Sequence, residues 1–219
     1  MAIAFNTTTN GWYSANGTSF TFSHTCSWSD RILFVWFFHW LNTDNVTGVT
    51  YAWTSMTLIN KRQVWAGQWI YLYYLIAPAT WTNNVVCSAS VDNDWWGWAV
   101  SYTWVLQTWQ PDASVSNGTT ATSIATSITT IANNCWVVWM WRTMDADWGF
   151  TSLSPWVFRQ NAIVGYYALW DSDGTVSTWS NTYTATNNVS SALWCILASF
   201  SPSWVVANNW SWFLSFFLS

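Results

Sequence analysis

All nine acidic residues of the chain are aspartates, and six of them fall into three Asp-x-Asp pairs: Asp92/Asp94, Asp145/Asp147 and Asp171/Asp173. Carboxylates at this spacing could hold a divalent cation or divide acid and base work across a glycosidic bond. The run "DSDG" at 171–174 opens like a calcium loop, which makes Asp171 and Asp173 the metal candidates. An EF-hand loop closes on a bidentate glutamate, however, and this chain contains no glutamate. The competing role for such aspartates is acceptance of backbone hydrogen bonds in turns.

The remaining reactive side chains are sparse. His24 and His39 sit at strand ends, with neither a G-x-S-x-G elbow nor an H-E-x-x-H run anywhere in the chain, so a structural role is expected for both. Cys26, Cys87, Cys135 and Cys195 lie in apolar runs without a CxxC spacing, which predicts buried free thiols rather than zinc ligands or disulfides. No catalytic residue and no cofactor is expected, and the chain reads as non-catalytic.

The dominant anomaly is aromatic. There are 24 tryptophans against 9 glycines, although glycine ordinarily makes up about 7% of residues. Trp28, Trp53, Trp81, Trp109, Trp148 and Trp179 are flanked by Ser, Thr, Asn, Asp or Pro. In such turn contexts glycine supplies a positive φ at no steric cost, and a bulky side chain does not. So many indoles cannot all enter one small core, and those left outside would form adhesive patches.

These residues must be carried by strands. Only 6% of the residues are charged, and Lys61 is the single lysine, so the strong surface helix formers are nearly missing. Thr, Val, Ile, Tyr, Phe and Trp dominate, and they suit pleated, half-buried surfaces. Strand-like runs follow one another at 18–24, 31–39, 46–52, 55–59, 68–76, 84–90, 98–106, 122–131, 135–141, 163–171, 182–186 and 192–200. Short strands separated by turn signals predict an all-β chain: a single two-sheet antiparallel β-sandwich, jelly-roll-like, over 1–203. Phe20 and Phe22 alternate with Ser and Thr, predicting a strand wet on one face. "RILFVWFFH" and "QWIYLYYLI" are apolar on both faces, as expected of central strands covered by the core and by a neighbouring subunit or loop.

Beyond "SFSPS" the chain reads as a linker and an apolar tail, 204–219. Strand addition to a neighbouring copy would give it a receiver, with Phe213, Leu214, Phe216, Phe217 and Leu218 as the assembly residues. Addition of the tail as an edge strand to its own domain is the alternative.

Several stretches carry a resemblance: "SHTCSWSDRILFV", "GVTYAWTSMTLINKRQV", "QWIYLYYLIAPATWTNNVVCSAS", "AVSYTWVLQTWQPDAS", "NNCWVV" and "LASFSPS". Over roughly residues 15–203 the chain resembles glycine-rich β-sandwich proteins of tailed phages and environmental bacteria, of the hypothetical or virion structural type. The resemblance implies glycine at Trp28, Trp36, Trp53, Trp81, Trp104 and Trp109, and genuine tryptophan at Trp69 and Trp136. A gene in which UGA specifies glycine, read with a code in which it specifies tryptophan, would produce this substitution.

The expected function is that of a self-assembling structural protein: a capsid, decoration, tail or fibre subunit of a phage virion, or a related extracellular filament subunit. Its partners would be copies of itself, with other virion proteins or surface glycans as further candidates. The alternative is a lectin-like carbohydrate-binding module, with aromatics stacking on sugar rings. The formal charge of −4 and the scattered basic residues argue against nucleic acid. The ten-residue apolar run "ILFVWFFHWL", interrupted by His39, is too short to span a bilayer. The N-terminus lacks the pattern of a secretion signal, predicting synthesis in the cytoplasm and a final place in a virion or extracellular assembly.

Overall fold

The computed structural model describes residues 1–65, 67–144, 151–152, 157–161, 167–174 and 176–203. Its regular structure is entirely strand, arranged as two antiparallel sheets, one of them nearly closed into a barrel. The first holds β1 (Ala4–Cys26), β2 (Ile32–His39), β3 (Val46–Tyr51), β4 (Thr54–Ser55), β5 (Thr57–Trp65), β6 (Gln68–Ile76) and β7 (Trp81–Thr103). The second holds β8 (Ala113–Thr130), β9 (Trp136–Thr143), β10 (Thr151–Ser152), β11 (Val157–Asn161), β12 (Tyr167–Asp171) and β13 (Trp179–Phe200).

The strand order of the first sheet is β4-β3-β7-β2-β6-β5, with β1 beside β7; that of the second is β10-β13-β9-β12-β11, with β8 beside β13. One order maps onto the other strand for strand, apart from the two-residue β4. The register repeats as well. Phe34 faces Tyr74 and Val100, while Val138 faces Asp171 and Ala198. Cys26 pairs with Trp81 as Thr130 pairs with Trp179. Asn83 Nδ2 donates to the Trp81 carbonyl, and Asn181 Nδ2 donates to that of Trp179. The chain is therefore two copies of one architecture.

Within each copy the longest strands bend. Thr9 and His24 both lie on β1, 15 positions apart, a separation of about 50 Å in a straight strand. Their side chains nevertheless meet at 2.9 Å. On β8, Asn117 Nδ2 likewise donates to the Ala125 carbonyl at 2.9 Å. Register shifts at Ser14/Gly17 and Gly17/Ser19 mark the corner in β1, and irregularities of this kind are how a strand turns. Gly11 and Gly97 lie beneath Phe20 at this fold-over: a Cβ on either would come within 2.7 Å of its ring.

Bending gives every central strand two covered faces. Phe34, Trp36 and Phe38 of β2 join Val138, Met140 and Ile196 in a cluster shared by both sheets. Leu33, Val35 and Phe37 point the other way, onto Phe20, Phe22 and Cys87 of the bent-over strands. A third cluster, around Trp139, Trp141, Trp170 and Leu197, fills the equivalent space in the second copy. The second apolar face of β2, expected to meet a neighbouring subunit or loop, is thus covered by the chain's own sheet. Phe20 and Phe22 are buried and the residues between them exposed, as their alternation predicts. The tail residues Phe213, Leu214, Phe216, Phe217 and Leu218, and the pair Asp145/Asp147, lie outside the described residues.

Candidate functional site

Among the described residues, Asp171, His24, His39 and the cysteines are held in structural settings. Asp171, at the end of β12, has no exposed surface. One carboxylate oxygen accepts from Tyr102 Oη at 2.8 Å and from Arg159 Nε at 2.6 Å; the other accepts the Asp173 backbone N–H at 2.9 Å. Burial pushes the Asp171 carboxyl up despite these donors. Asp173 is paired with the same guanidinium, which also lies 4.3 Å over the Phe5 ring. The cluster therefore stitches β7 to β12 across the two sheets. Among the described residues, no three His, Cys, Asp or Glu side chains gather as a metal site would require. Asp94 Oδ1 accepts the Asn16 backbone N–H, the turn role expected of such aspartates.

His24 lies against two hydroxyls, Thr9 Oγ1 at 2.9 Å from Nδ1 and Ser101 Oγ at 3.0 Å from Nε2. Ser101 Oγ donates its only proton to Asn6 Oδ1. The hydrogen-bond network therefore assigns the imidazole proton to Nε2, pointing at the serine. A base must accept a proton from its serine, so this pair cannot activate a nucleophile. His39 makes a similar bond to Tyr71 Oη at 2.8 Å, and that hydroxyl donates to Asp44. Burial lowers both histidines to about 4, which keeps them neutral at pH 7. The four cysteines are free and buried. Burial raises the Cys135 thiol to about 12, far from the reactive thiolate range.

The tryptophans divide into two classes. Trp95 is fully buried, and its indole N–H reaches the Gly17 carbonyl at 2.7 Å. Trp136, Trp139, Trp141 and Trp170 are likewise core residues. In contrast, Trp12, Trp28, Trp53, Trp81, Trp104 and Trp109 have φ between 55° and 72°, and Trp179 has φ of 156°. All but Trp104 are strongly exposed, reaching 95% at Trp53. Of the positions whose sequence context called for glycine, every described one has this backbone; Trp148 lies outside the described residues. Trp36 differs. It is an extended, buried β2 residue stacked near Trp98, so its conformation makes no demand for glycine.

Left-handed backbone costs an L-residue about 1–2 kcal/mol. Six such tryptophans would together forfeit an amount comparable to the ~5–15 kcal/mol that stabilises a whole domain. Several of them share one end of the first sheet. Trp53 lines a cavity of about 250 Å³ together with Thr82, Asn83 and Asn84.

The surface best built for contact is the pair of outer strands. Among the described residues, β1 forms a backbone ladder only with β7, and β8 only with β13. The first halves of both strands lean on the opposite sheet: Phe5 under Arg159, and Gly118 beside Arg62. The second halves, Phe20–Cys26 and Ser123–Thr130, carry no Lys, Arg, Asp, Glu or Pro. Those residues are the usual means of blunting an edge. The other outer strand of the first sheet, β5, carries Lys61 and Arg62. Sequence reading missed these edges because strand order is a long-range property; the signal available was the uncharged alternation of 18–26 and 122–130.

No protein-family model, no curated protein and no solved structure matches the chain.

Proposed function

We propose that this protein is a non-catalytic structural subunit that assembles with copies of itself. The observation that carries the reading is the pair of equivalent, uncharged, proline-free edges at 20–26 and 123–130, each with a single ladder partner among the described residues. Such edges are templates for pairing with another chain. Two related edges on one molecule allow each copy to engage two neighbours, as a shell or filament requires. In this reading the two sheets together form a single jelly-roll-like β-sandwich, and the particle is a phage virion component or a related extracellular filament. The engaged histidines, thiols and Asp171 fit a brick better than an enzyme.

The tail at 204–219 offers a second route to the same outcome, by strand exchange through Phe213, Leu214, Phe216, Phe217 and Leu218. Negative-stain microscopy and sedimentation test both. Ordered oligomers are expected from the full chain. Thr21→Lys with Ser23→Lys, or Ser123→Lys with Ala125→Lys, should disperse them, since all four positions are exposed and edge lysines block pairing. Deletion of 204–219 reports on the tail alone. A full chain that stays monomeric at high concentration contradicts the reading.

The indole of Trp53 beside the Thr82–Asn84 cavity favours the alternative of a glycan-binding module. That alternative depends on this residue being tryptophan.

A further inference from the structure

We infer that positions 12, 28, 53, 81, 104, 109 and 179 carry glycine in the protein its own host makes, because the gene belongs to a code in which UGA specifies glycine. The backbone carries this argument. Thirteen of the described non-glycine residues have positive φ, and seven of them are tryptophan, although only a few per cent of non-glycine residues adopt such angles at all. Four of the other six are Asn16, Asp30, Asn134 and Asp173, the side chains that tolerate this region best. Ala52 and Ala77 complete the set. Among the described glycines only Gly67 has positive φ. Five of the seven described glycines thus lie in strands, while the largest side chain stands where glycine belongs.

The internal duplication supplies an independent control. Asp30 and Asn134 are equivalent positions, two residues before β2 and β9 respectively, and both have positive φ. There the chain follows the usual preference in both copies. Trp81 and Trp179 are also equivalent, opening β7 and β13, and both have positive φ with the same asparagine bond to their carbonyl. The asparagine bond recurs at φ of 72° and 156°, and tryptophan suits neither angle. Exposure points the same way: six of the seven indoles lie 68% to 95% in solvent, so packing does not repay their strain. Trp95 and Trp136, buried in extended strand, give no such sign.

With glycine at these seven positions, the Trp53 indole beside the 82–84 cavity disappears. The glycan-binding alternative then loses its stacking surface, and the polar edges remain as the contact surface.

The codons and the peptides decide the matter. The gene should show UGA at all seven positions, and peptides spanning residues 53, 81 and 109, from protein purified out of the cells or particles that make it, should have glycine masses. UGG codons there, or tryptophan masses in those peptides, overturn the inference. As a physical check, a recombinant seven-glycine chain should melt at higher temperature than the tryptophan chain and stay soluble where the latter precipitates. Equal or lower thermal midpoints would contradict the strain on which the inference rests. None of these readouts depends on assembly.

Discussion

At Trp53 and at His24 the same question has opposite answers: whether the surroundings have been built to suit the side chain. His24 is held by Thr9 and Ser101 in a buried slot, and His39 by Tyr71. Trp53 is held by nothing that compensates its φ of 68°. The histidine slots make stability depend on pH with a definite sign. In the unfolded chain a histidine takes its proton near pH 6.5, whereas burial holds both folded histidines to about 4. The unfolded state therefore binds more protons between those values, so stability is complete above about pH 6.5 and falls as pH drops toward 4. Each histidine can account for a loss of up to about 3 kcal/mol across that window. Urea midpoints should fall between pH 7 and pH 4.5, and a His24→Gln, His39→Gln double variant should lose most of that slope. An unchanged slope would show that the imidazoles are not held neutral.

Among the elements, much was legible from residue pattern and some was not. The strict alternation around Phe20 and Phe22 specifies a half-wet strand, and the apolar run of β2 a strand buried on both faces. Both readings rest on the period-2 geometry of a single strand, which needs no partner to be seen. The covering of β2's second face was not legible, because it depends on the corner near Ser14–Gly17 that folds β1 back over the sheet. The duplication was hidden for a related reason. Equivalent positions such as Phe34 and Val138, or Cys26 and Thr130, share burial and register but not chemistry. Asp171 was visible as a carboxylate at a turn; its partners Tyr102 and Arg159 come from other strands, and only the packing of β7 against β12 brings Tyr102 to it. That bond joins the two copies. Tyr102→Phe removes a hydrogen bond to a buried carboxylate and should cost about 1.5–3 kcal/mol in thermal or chemical unfolding. An unaltered midpoint would mean that the sheets are held by the shared apolar cluster alone.

For the molecule as a whole, two related copies pack through one apolar cluster, and among the described residues β1 and β8 each have one ladder partner. The histidines, thiols and buried aspartate serve cohesion, the seven turn positions are where tryptophan suits the backbone least, and the proposed assembly rests on the edges. Hydrogen exchange followed residue by residue, in dispersed and concentrated samples of the full chain, tests this most directly. If copies join edge to edge, outward amides within 20–26 and 123–130 exchange quickly in the dispersed chain and become protected on assembly, while the exposed turn around Trp53 does not change. Protection that appears elsewhere and leaves both segments open, or a chain that shows no concentration dependence at all, would contradict the account.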